Sequence, residues 1–325
     1  QKETSETMNN EPIAKKQKKE LTLNGHTRVD DYYWMNERDS KPVLDHLSLE
    51  NQYTEKYFSS FDGLKETLLS EFENRIDPND VSSPFTLNKK TYQVRNEEGK
   101  DYELIYLLDG NNDKLFLDEN VRAKGKSFYE LGDWAPSPNN EMLAISEDFI
   151  GRRKYTITFR TNKNNKFLKD KIQDTDGSIV WANDNKTVFY VKKDPQTLRE
   201  FQIYKHILGT DSKTDELVYQ ENDEKYGVYL SKTITDKYIL IYCHSTTTSE
   251  LLLIDADNPN EKATVFLPRT KGHLYEVDHH ENGFYILSNE NAPNKQVVFS
   301  ATIPKSIKEC KTITPHSPDM LIENI

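Results

Sequence analysis

The sequence predicts a mostly β protein, and three of its features indicate the architecture. First, a unit of apolar and alternating runs separated by polar turns returns every 45–51 residues. Second, the chain contains 18 Tyr, 14 Phe and 3 Trp although its mean hydropathy is −0.84, which suits short strands with wet outer faces. Third, a helical period replaces strand alternation before the first repeat. A strand repeat of this length predicts a β-propeller with about four strands per blade. The inner strands are anchored at Thr91, Met142, Thr187, Tyr238 and Phe284.

The N-terminal quarter of the chain is predicted to contain no blade. Residues 1–20 are polar and without period, so we expect a disordered tether there. Residues 21–76 are predicted as a helical arm, because apolar residues recur at three- and four-residue steps from residue 43 onward. Asp62-Gly63 divides this pattern into two helices, and Asp77-Pro78 ends the second one, since proline disfavours helix at the preceding residue.

The repeat region is expected to run from residue 81 to residue 325. Five units can be counted, the fifth ends near Thr314, and Met320-Leu321-Ile322 looks like the first strand of a further unit. We therefore expect a propeller that is incomplete at its C-terminus. An open propeller would expose an unpaired strand edge at each end, so either five blades close the ring or the chain is a piece of a larger protein.

Charge and cysteine content exclude several classes of protein. The net charge of −11 argues against nucleic acid as a partner, and no apolar run approaches the 18 residues of a membrane span. Cys243 and Cys310 are too few and too far apart for a metal knuckle or a disulfide framework, so we expect buried free thiols in strand-like segments. The composition predicts a soluble protein.

Motifs that carry chemistry are missing from the sequence. No Gly-x-Ser-x-Gly nucleophile elbow and no glycine-rich phosphate loop occurs. The one adjacent histidine pair, His279-His280, would point to opposite faces of a strand and could not chelate one ion. We therefore predict no catalytic residue, no cofactor site and no metal site in this chain.

Acidic residues leave two interpretations open. Glu147, Asp148 and Asp255 could be the inward-facing acids of a propeller glycosidase, or they could be ordinary blade charges. The block SEDFIGRRKYTITFR at residues 146–160 places two acids and an Arg-Arg pair before a strong strand. It could be a self-neutralising turn, or a polar edge where guanidinium groups meet carboxylates of another domain.

Six segments carry a resemblance to a known family. They are HTRVDDYYWMNERD at residues 26–39, LENQYTE at residues 49–55, the block at residues 146–160, VWANDNKTVFYVKKDPQTLREFQIYKHILGT at residues 180–210, STTTSELLLIDAD at residues 245–257 and VFLPRTKGHLYEVDHHENGFYILSN at residues 265–289. With them the chain resembles oligopeptidase B, also called protease II, of the prolyl oligopeptidase family, over about residues 21–325. The resemblance implies a serine peptidase that cleaves short peptides after Arg or Lys. It also implies a seven-bladed propeller that selects substrates by size, and an α/β-hydrolase catalytic domain.

The resemblance also implies roles for particular residues. In this family the catalytic triad lies C-terminal to the propeller, where no matching position exists in this sequence, so the 325-residue chain alone is expected to be inactive. A hinge is expected at residues 77–80 and the end of the arm, formed by Arg75, Ile76, Asp77 and Pro78. Ion pairs with the catalytic domain in a closed form are expected from Glu147, Asp148, Arg152 and Arg153.

One alternative function remains open from the residues alone. The chain could be a complete five-bladed propeller, acting as a glycosidase or as a binding scaffold without catalysis. The sequence does not decide the compartment, and the resemblance implies the cytoplasm or the periplasm of a bacterium.

Overall fold

The computed structural model describes residues 11–110 and 112–325. Their contacts divide the chain into two compact units, the first ending at Pro78 and the second running from Asn79 to Ile325. We call them the N-terminal unit and the sheet unit.

The first strands of the described N-terminal unit form a β-hairpin that the sequence patterns did not predict. Strands β1 (Lys19–Leu23) and β2 (His26–Asp30) pair antiparallel. Asn24 and Gly25 join them with φ values of 51° and 78°, the left-handed geometry of a tight hairpin turn. Residues 1–10 of the expected tether lie outside the described residues. Its last two residues belong to β1, so the tether does not extend to residue 20.

Two helices follow the hairpin in the described part of the N-terminal unit, as the apolar period predicts. They are α1 (Lys41–Phe58) and α2 (Asp62–Glu73), with short 3-10 turns at Tyr33–Asn36 and Ser59–Phe61. Pro42 lies in the first turn of α1, where its missing N–H costs nothing. The indole N–H of Trp34 donates to the Lys15 carbonyl at 2.8 Å, and its ring contacts His46.

The described residues of the sheet unit form five four-stranded antiparallel units, called sheets 1 to 5 in chain order. Sheets 2 and 3 are joined into one eight-stranded sheet by the pairing of Thr175 with Lys192. The short helix α3 (Glu119–Ala123) follows sheet 1.

Sheet 1 consists of β3 (Phe85–Leu87), β4 (Lys90–Arg95), β5 (Leu104–Leu108) and β6 (Lys114–Asp118). Sheet 2 consists of β7 (Glu130–Pro136), β8 (Met142–Asp148), β9 (Tyr155–Thr161) and β10 (Phe167–Thr175). Sheet 3 consists of β11 (Val180–Trp181), β12 (Thr187–Lys193), β13 (Glu200–Ile207) and β14 (Glu216–Gln220). Sheet 4 consists of β15 (Gly227–Lys232), β16 (Tyr238–His244), β17 (Ser249–Asp255) and β18 (Thr264–Leu267). Sheet 5 consists of β19 (Tyr275–His280), β20 (Gly283–Ser288), β21 (Gln296–Ser300) and β22 (Lys311–Thr314).

The five predicted anchor residues all fall on the same strand of their sheets. Each one is the first or second residue of the second strand, that is β4, β8, β12, β16 or β20. The repeat read from the sequence is therefore a structural repeat. Cys243 is buried in β16, while Cys310 is partly exposed just before β22, and both are free thiols.

Apolar packing joins each sheet to the next one along the chain. Four clusters of buried residues lie between sheets 1 and 2, 2 and 3, 3 and 4, and 4 and 5. In β16, Ile239 and Ile241 face sheet 3 while Leu240 and Tyr242 face sheet 5, because successive side chains point to opposite faces. No cluster formed by the described residues includes both sheet 1 and sheet 5. This nearest-neighbour stacking confirms the predicted mostly β propeller fold.

Turn residues add a second connection between the sheets. At the turns between the first and second strands, the Asn88 side-chain amide donates to the Pro136 carbonyl at 3.0 Å, and the Asn139 N–H donates to Asn185 Oδ1 at 2.7 Å. Further along, the Asn183 amide donates to the Asp236 carbonyl at 3.0 Å. The turn-forming residues therefore also hold successive sheets in register at this end, called the far end below.

Candidate functional site

The end of the sheets opposite the far end is marked by Asn79 and Asp80, the first two residues of the sheet unit. Asn79 Oδ1 accepts the Glu98 N–H at 3.1 Å, and the Asp80 carbonyl accepts the Asn96 N–H at 2.8 Å. Residues 96–98 lie in the loop between the second and third strands of sheet 1. Because the strands of every sheet alternate in direction, the corresponding loop of each other sheet lies at this same end. We call it the Asn79 end.

The loop between β8 and β9, at the Asn79 end of sheet 2, is organised by one buried carboxylate. Asp148 is fully buried, and its Oδ1 accepts the N–H groups of Ile150 at 2.8 Å and Gly151 at 3.2 Å. Its Oδ2 accepts those of Arg152 at 2.9 Å and Arg153 at 2.7 Å. Four hydrogen bonds fill the acceptor sites of an ionised carboxylate. Asp148 therefore fixes the shape of this loop.

Glu147 is buried as well, and its partners belong to the same unit. Its carboxylate receives two hydrogen bonds from Arg122, from Nε at 2.7 Å and from Nη2 at 2.5 Å, and a third from the Tyr129 hydroxyl at 3.2 Å. This fork-to-fork pairing is the strong form of an Arg–carboxylate contact. The hydrogen bond to Glu147 raises the pKa of Arg122, and burial raises the pKa of Tyr129.

Arg152 and Arg153 differ from these two acids in being exposed. Within the described part of the chain, neither guanidinium forms an ion pair with a carboxylate. Arg153 has a φ of 52°, an uncommon left-handed value for a residue other than glycine, and its N–H bond to Asp148 holds it there. Two cationic side chains without a carboxylate partner among the described residues thus lie on a fixed backbone. Whether they meet another domain, as expected from the sequence, stays a prediction.

Glu119, at the start of α3, is a residue that the sequence did not single out. Its side chain is buried, and burial raises its pKa to about 7, with the nearby charges of Glu103, Glu147 and Asp118 acting in the same direction. A lone acid among 54 gives no signal of burial in the sequence. A carboxyl group with this pKa changes its charge near neutral pH.

The expected hinge residues lie at the end of the N-terminal unit. Helix α2 ends at Glu73, and the N–H groups of Arg75 and Ile76 still donate to the carbonyls of Phe72 and Glu73. Ile76 is 68% exposed, and the division between the two compact units follows Pro78. A hinge role for Arg75, Ile76, Asp77 and Pro78 stays a prediction.

The acids considered for a glycosidase each have partners within the sheet unit. Beside Glu147 and Asp148, Asp255 accepts a hydrogen bond from Lys237 Nζ at 3.0 Å. In the ranges 11–110 and 112–325, no group of three or more His, Cys, Asp or Glu side chains could hold a metal ion. No helix in the same ranges is long and apolar enough to cross a membrane.

Comparison with known proteins identifies the class. The family described as "Prolyl oligopeptidase, N-terminal beta-propeller domain" matches residues 11–325. The chain therefore belongs to this family. Its relatives in the family are serine peptidases.

Individual relatives make the likeness more specific. The chain is 32% identical to dipeptidyl aminopeptidase BI of Pseudoxanthomonas mexicana, over 96% of this chain and 46% of the relative. It is 29% identical to protease 2 of Moraxella lacunata, over 88% and 43% respectively. The structure of oligopeptidase B from Leishmania major superposes with a TM-score of 0.89 at 26% identity, over 97% of this chain and 47% of that one. The predicted resemblance to oligopeptidase B is confirmed. The chain spans less than half the length of these relatives.

Proposed function

We propose that this chain is the propeller part of an oligopeptidase B-like serine endopeptidase that cleaves short peptides after Arg or Lys. Its partner would be an α/β-hydrolase catalytic domain of the same polypeptide, and the propeller would admit peptides by size. The observation that supports this most is the match of nearly the whole chain to less than half of oligopeptidase B. The absence of a Gly-x-Ser-x-Gly motif from the 325 residues agrees with a catalytic centre located elsewhere.

Cleavage of small chromogenic peptides tests the proposal. Protein expressed from the intact reading frame should hydrolyse N-blocked substrates with Arg or Lys before the scissile bond, and a serine-directed inhibitor should abolish this activity. The 325-residue chain alone should show none. Since one relative is a dipeptidyl aminopeptidase, each substrate should be compared with a free and a blocked amino terminus. Hydrolysis restricted to free amino termini, or to sites after residues other than Arg and Lys, would contradict the proposed endopeptidase specificity.

We further propose that Arg152 and Arg153 pair with carboxylates of the catalytic domain and favour a closed form. Their exposure and lack of a carboxylate partner among the described residues support this role. Glu147 and Asp148 would act indirectly, since their carboxylates are occupied by Arg122 and by the loop backbone. Arg75, Ile76, Asp77 and Pro78 would act as a hinge.

Charge reversal separates this interdomain role from a general charge effect. In the intact protein, Arg152→Glu with Arg153→Glu should increase the radius of gyration in X-ray scattering and change kcat/KM. The matched control is Lys163→Glu with Lys166→Glu, which makes the same charge change on exposed residues at the far end of sheet 2. Kinetics and scattering that stay as in the wild type, or that change equally in both double variants, would refute the interdomain role.

A further inference from the structure

A basic pocket of about 240 Å³ opens where sheets 2 and 3 meet, at the Asn79 end. Three lysines line it: Lys154 lies just before β9, and Lys192 and Lys193 are the last two residues of β12. The pocket lies beside the single residue pair, Thr175 with Lys192, that joins the two sheets. A concentration of ammonium groups is unexpected in a chain with a net charge of −11.

Lys193 is the residue that points to a ligand. Its side chain is only 8% exposed, yet no hydrogen bond joins its ammonium group to any described residue. Its single ion pair there is with Glu200, where Nζ and Oε1 are 4.0 Å apart, beyond hydrogen-bond distance. The centre of the Tyr155 ring is 5.8 Å away. The charge of Lys193 also acts on the partly buried carboxylate of Asp176, which accepts the N–H and the hydroxyl of Ser178. A buried charge is costly unless it is both paired and hydrogen-bonded, and among the described residues this ammonium group has charge partners but no hydrogen-bond partner.

The two acidic residues that line the pocket, Asp174 and Asp194, do not hydrogen-bond to the Lys193 ammonium group. Oδ1 of Asp194 accepts the N–H groups of Gln196 at 2.9 Å and Thr197 at 2.8 Å, and the Thr197 hydroxyl at 3.0 Å, so its carboxylate organises its own turn. These hydrogen bonds lower the pKa of Asp194 and keep it ionised. Asp174 is exposed to water at the rim.

The remaining wall is apolar and held in place. Pro195 and Leu198 supply the apolar part of the pocket lining. Leu198 has a φ of 61°, and its N–H donates to the Asp194 carbonyl at 2.9 Å, which fixes this loop. A wall of this kind excludes water from one side of a bound group and strengthens its contacts with the lysines.

We propose that this pocket binds an oxyanion, a carboxylate or a phosphate group, with Lys193 as the central contact and Lys154 and Lys192 as flanking charges. A lysine ammonium group offers three donors to such oxygens. Arg152 and Arg153 are not among the residues that line the pocket, and the proposal does not depend on the peptidase function.

Anion titrations of the 325-residue chain test the proposal at constant ionic strength, with chloride replaced stepwise. The ligands are inorganic phosphate, N-acetylalanine, and N-acetylalaninamide as the uncharged counterpart. Calorimetry should show saturable binding of phosphate or N-acetylalanine with a Kd on the order of 1 mM, and the melting temperature should rise with saturation. Binding of phosphate alone would identify a phosphate site, and binding of N-acetylalanine but not its amide would identify a carboxylate site.

Variants decide whether the pocket is responsible. Lys193→Met keeps most of the side-chain stem and should weaken binding about tenfold or more. Lys186→Met is the matched control and should bind like the wild type, because Lys186 is exposed and directly precedes the opposite end of β12. Phosphate also stabilises folded proteins in general because it is excluded from their surfaces. The comparison with the control separates this general effect from binding in the pocket. If the Lys193→Met variant does not fold, Lys154→Met replaces it, since Lys154 lines the same pocket and is partly exposed. Absence of saturable binding by the wild type, or equal weakening in the Lys186 control, would overturn the proposal.

Discussion

The substitution Glu119→Gln is expected to stabilise the protein at neutral and higher pH. The folded state raises the pKa of Glu119 from 4.5 to about 7, so it favours the neutral carboxyl group. A glutamine has the same shape and carries no charge, so it avoids this penalty. The sign follows from linkage: the folded state binds the extra proton, and stability is lost as pH rises from about 4.5 to about 7 and stays lost above.

The size of the effect can be worked from the same displacement. A pKa displaced from 4.5 to about 7 corresponds to about 3 kcal/mol, since each unit is worth about 1.4 kcal/mol. Relaxation and water penetration reduce such penalties in folded proteins. We therefore expect Glu119→Gln to gain about 1–2 kcal/mol at pH 8, and close to zero at pH 4.5, where the wild-type carboxyl group is protonated.

Urea unfolding at a series of pH values measures this gain. Carrying Trp34→Phe in every variant leaves Trp134 and Trp181 of the sheet unit as the fluorescent reporters. The matched control is Glu98→Gln, an exposed acid at the same end of the sheets, which should change stability by less than about 0.5 kcal/mol. A gain that does not depend on pH would refute the reasoning. So would a loss of stability at pH 8, because it would mean that a cation holds the charged form.

Three further substitutions test the packing and the buried polar contacts. His206 is fully buried between Asp170 and Asp215. Burial lowers its pKa, but hydrogen bonds to both carboxylates outweigh this effect and raise the pKa. Wild-type stability should therefore fall as pH rises above about 6.5 through the raised pKa. In His206→Gln, the free energy of unfolding measured in urea should change less between pH 6 and 9; parallel pH profiles of the variant and the wild type would contradict this assignment. Asp148→Ala removes the acceptor of four loop N–H groups, so trypsin should cut the loop at residues 149–153 faster. The free energy of unfolding should fall by about 1–3 kcal/mol. Unchanged cleavage would show that the loop holds its shape without the carboxylate. Ile241→Ala should lower the free energy of unfolding in urea by about 2–5 kcal/mol, because Ile241 is fully buried between sheets 3 and 4. A decrease below about 1 kcal/mol would mean that the neighbouring sheets close over the cavity.

The sheet repeat could be predicted because its physics is local. A strand buried on both faces must be apolar at every position, so a segment such as residues 238–243 stands out whatever its neighbours are. The turn chemistry that separates such strands is equally local. For this reason the spacing of the anchors located the second strand of all five sheets.

The hairpin of β1 and β2 shows where local patterns stop being informative. Its turn has the Asn24-Gly25 dipeptide that favours tight hairpins, but eight of the ten flanking strand residues are exposed. Without a buried face, no alternation of polar and apolar residues marks the strands. The burial of Glu119 and the pairing of Arg122 with Glu147 were equally invisible, because they depend on contacts between residues far apart in the chain.

The block SEDFIGRR shows why the site needed the structure. In the sequence, its two acids and two arginines form one charged patch, and all four residues are equal candidates for contact with another domain. The fold separates them: Glu147 and Asp148 turn inward and are satisfied by Arg122 and by the loop N–H groups, while the arginines remain exposed. Substituting the acids would disturb folding of the loop together with any interdomain contact. Charge reversal of the two arginines changes only exposed groups, so it is the substitution from which an interdomain role can be inferred.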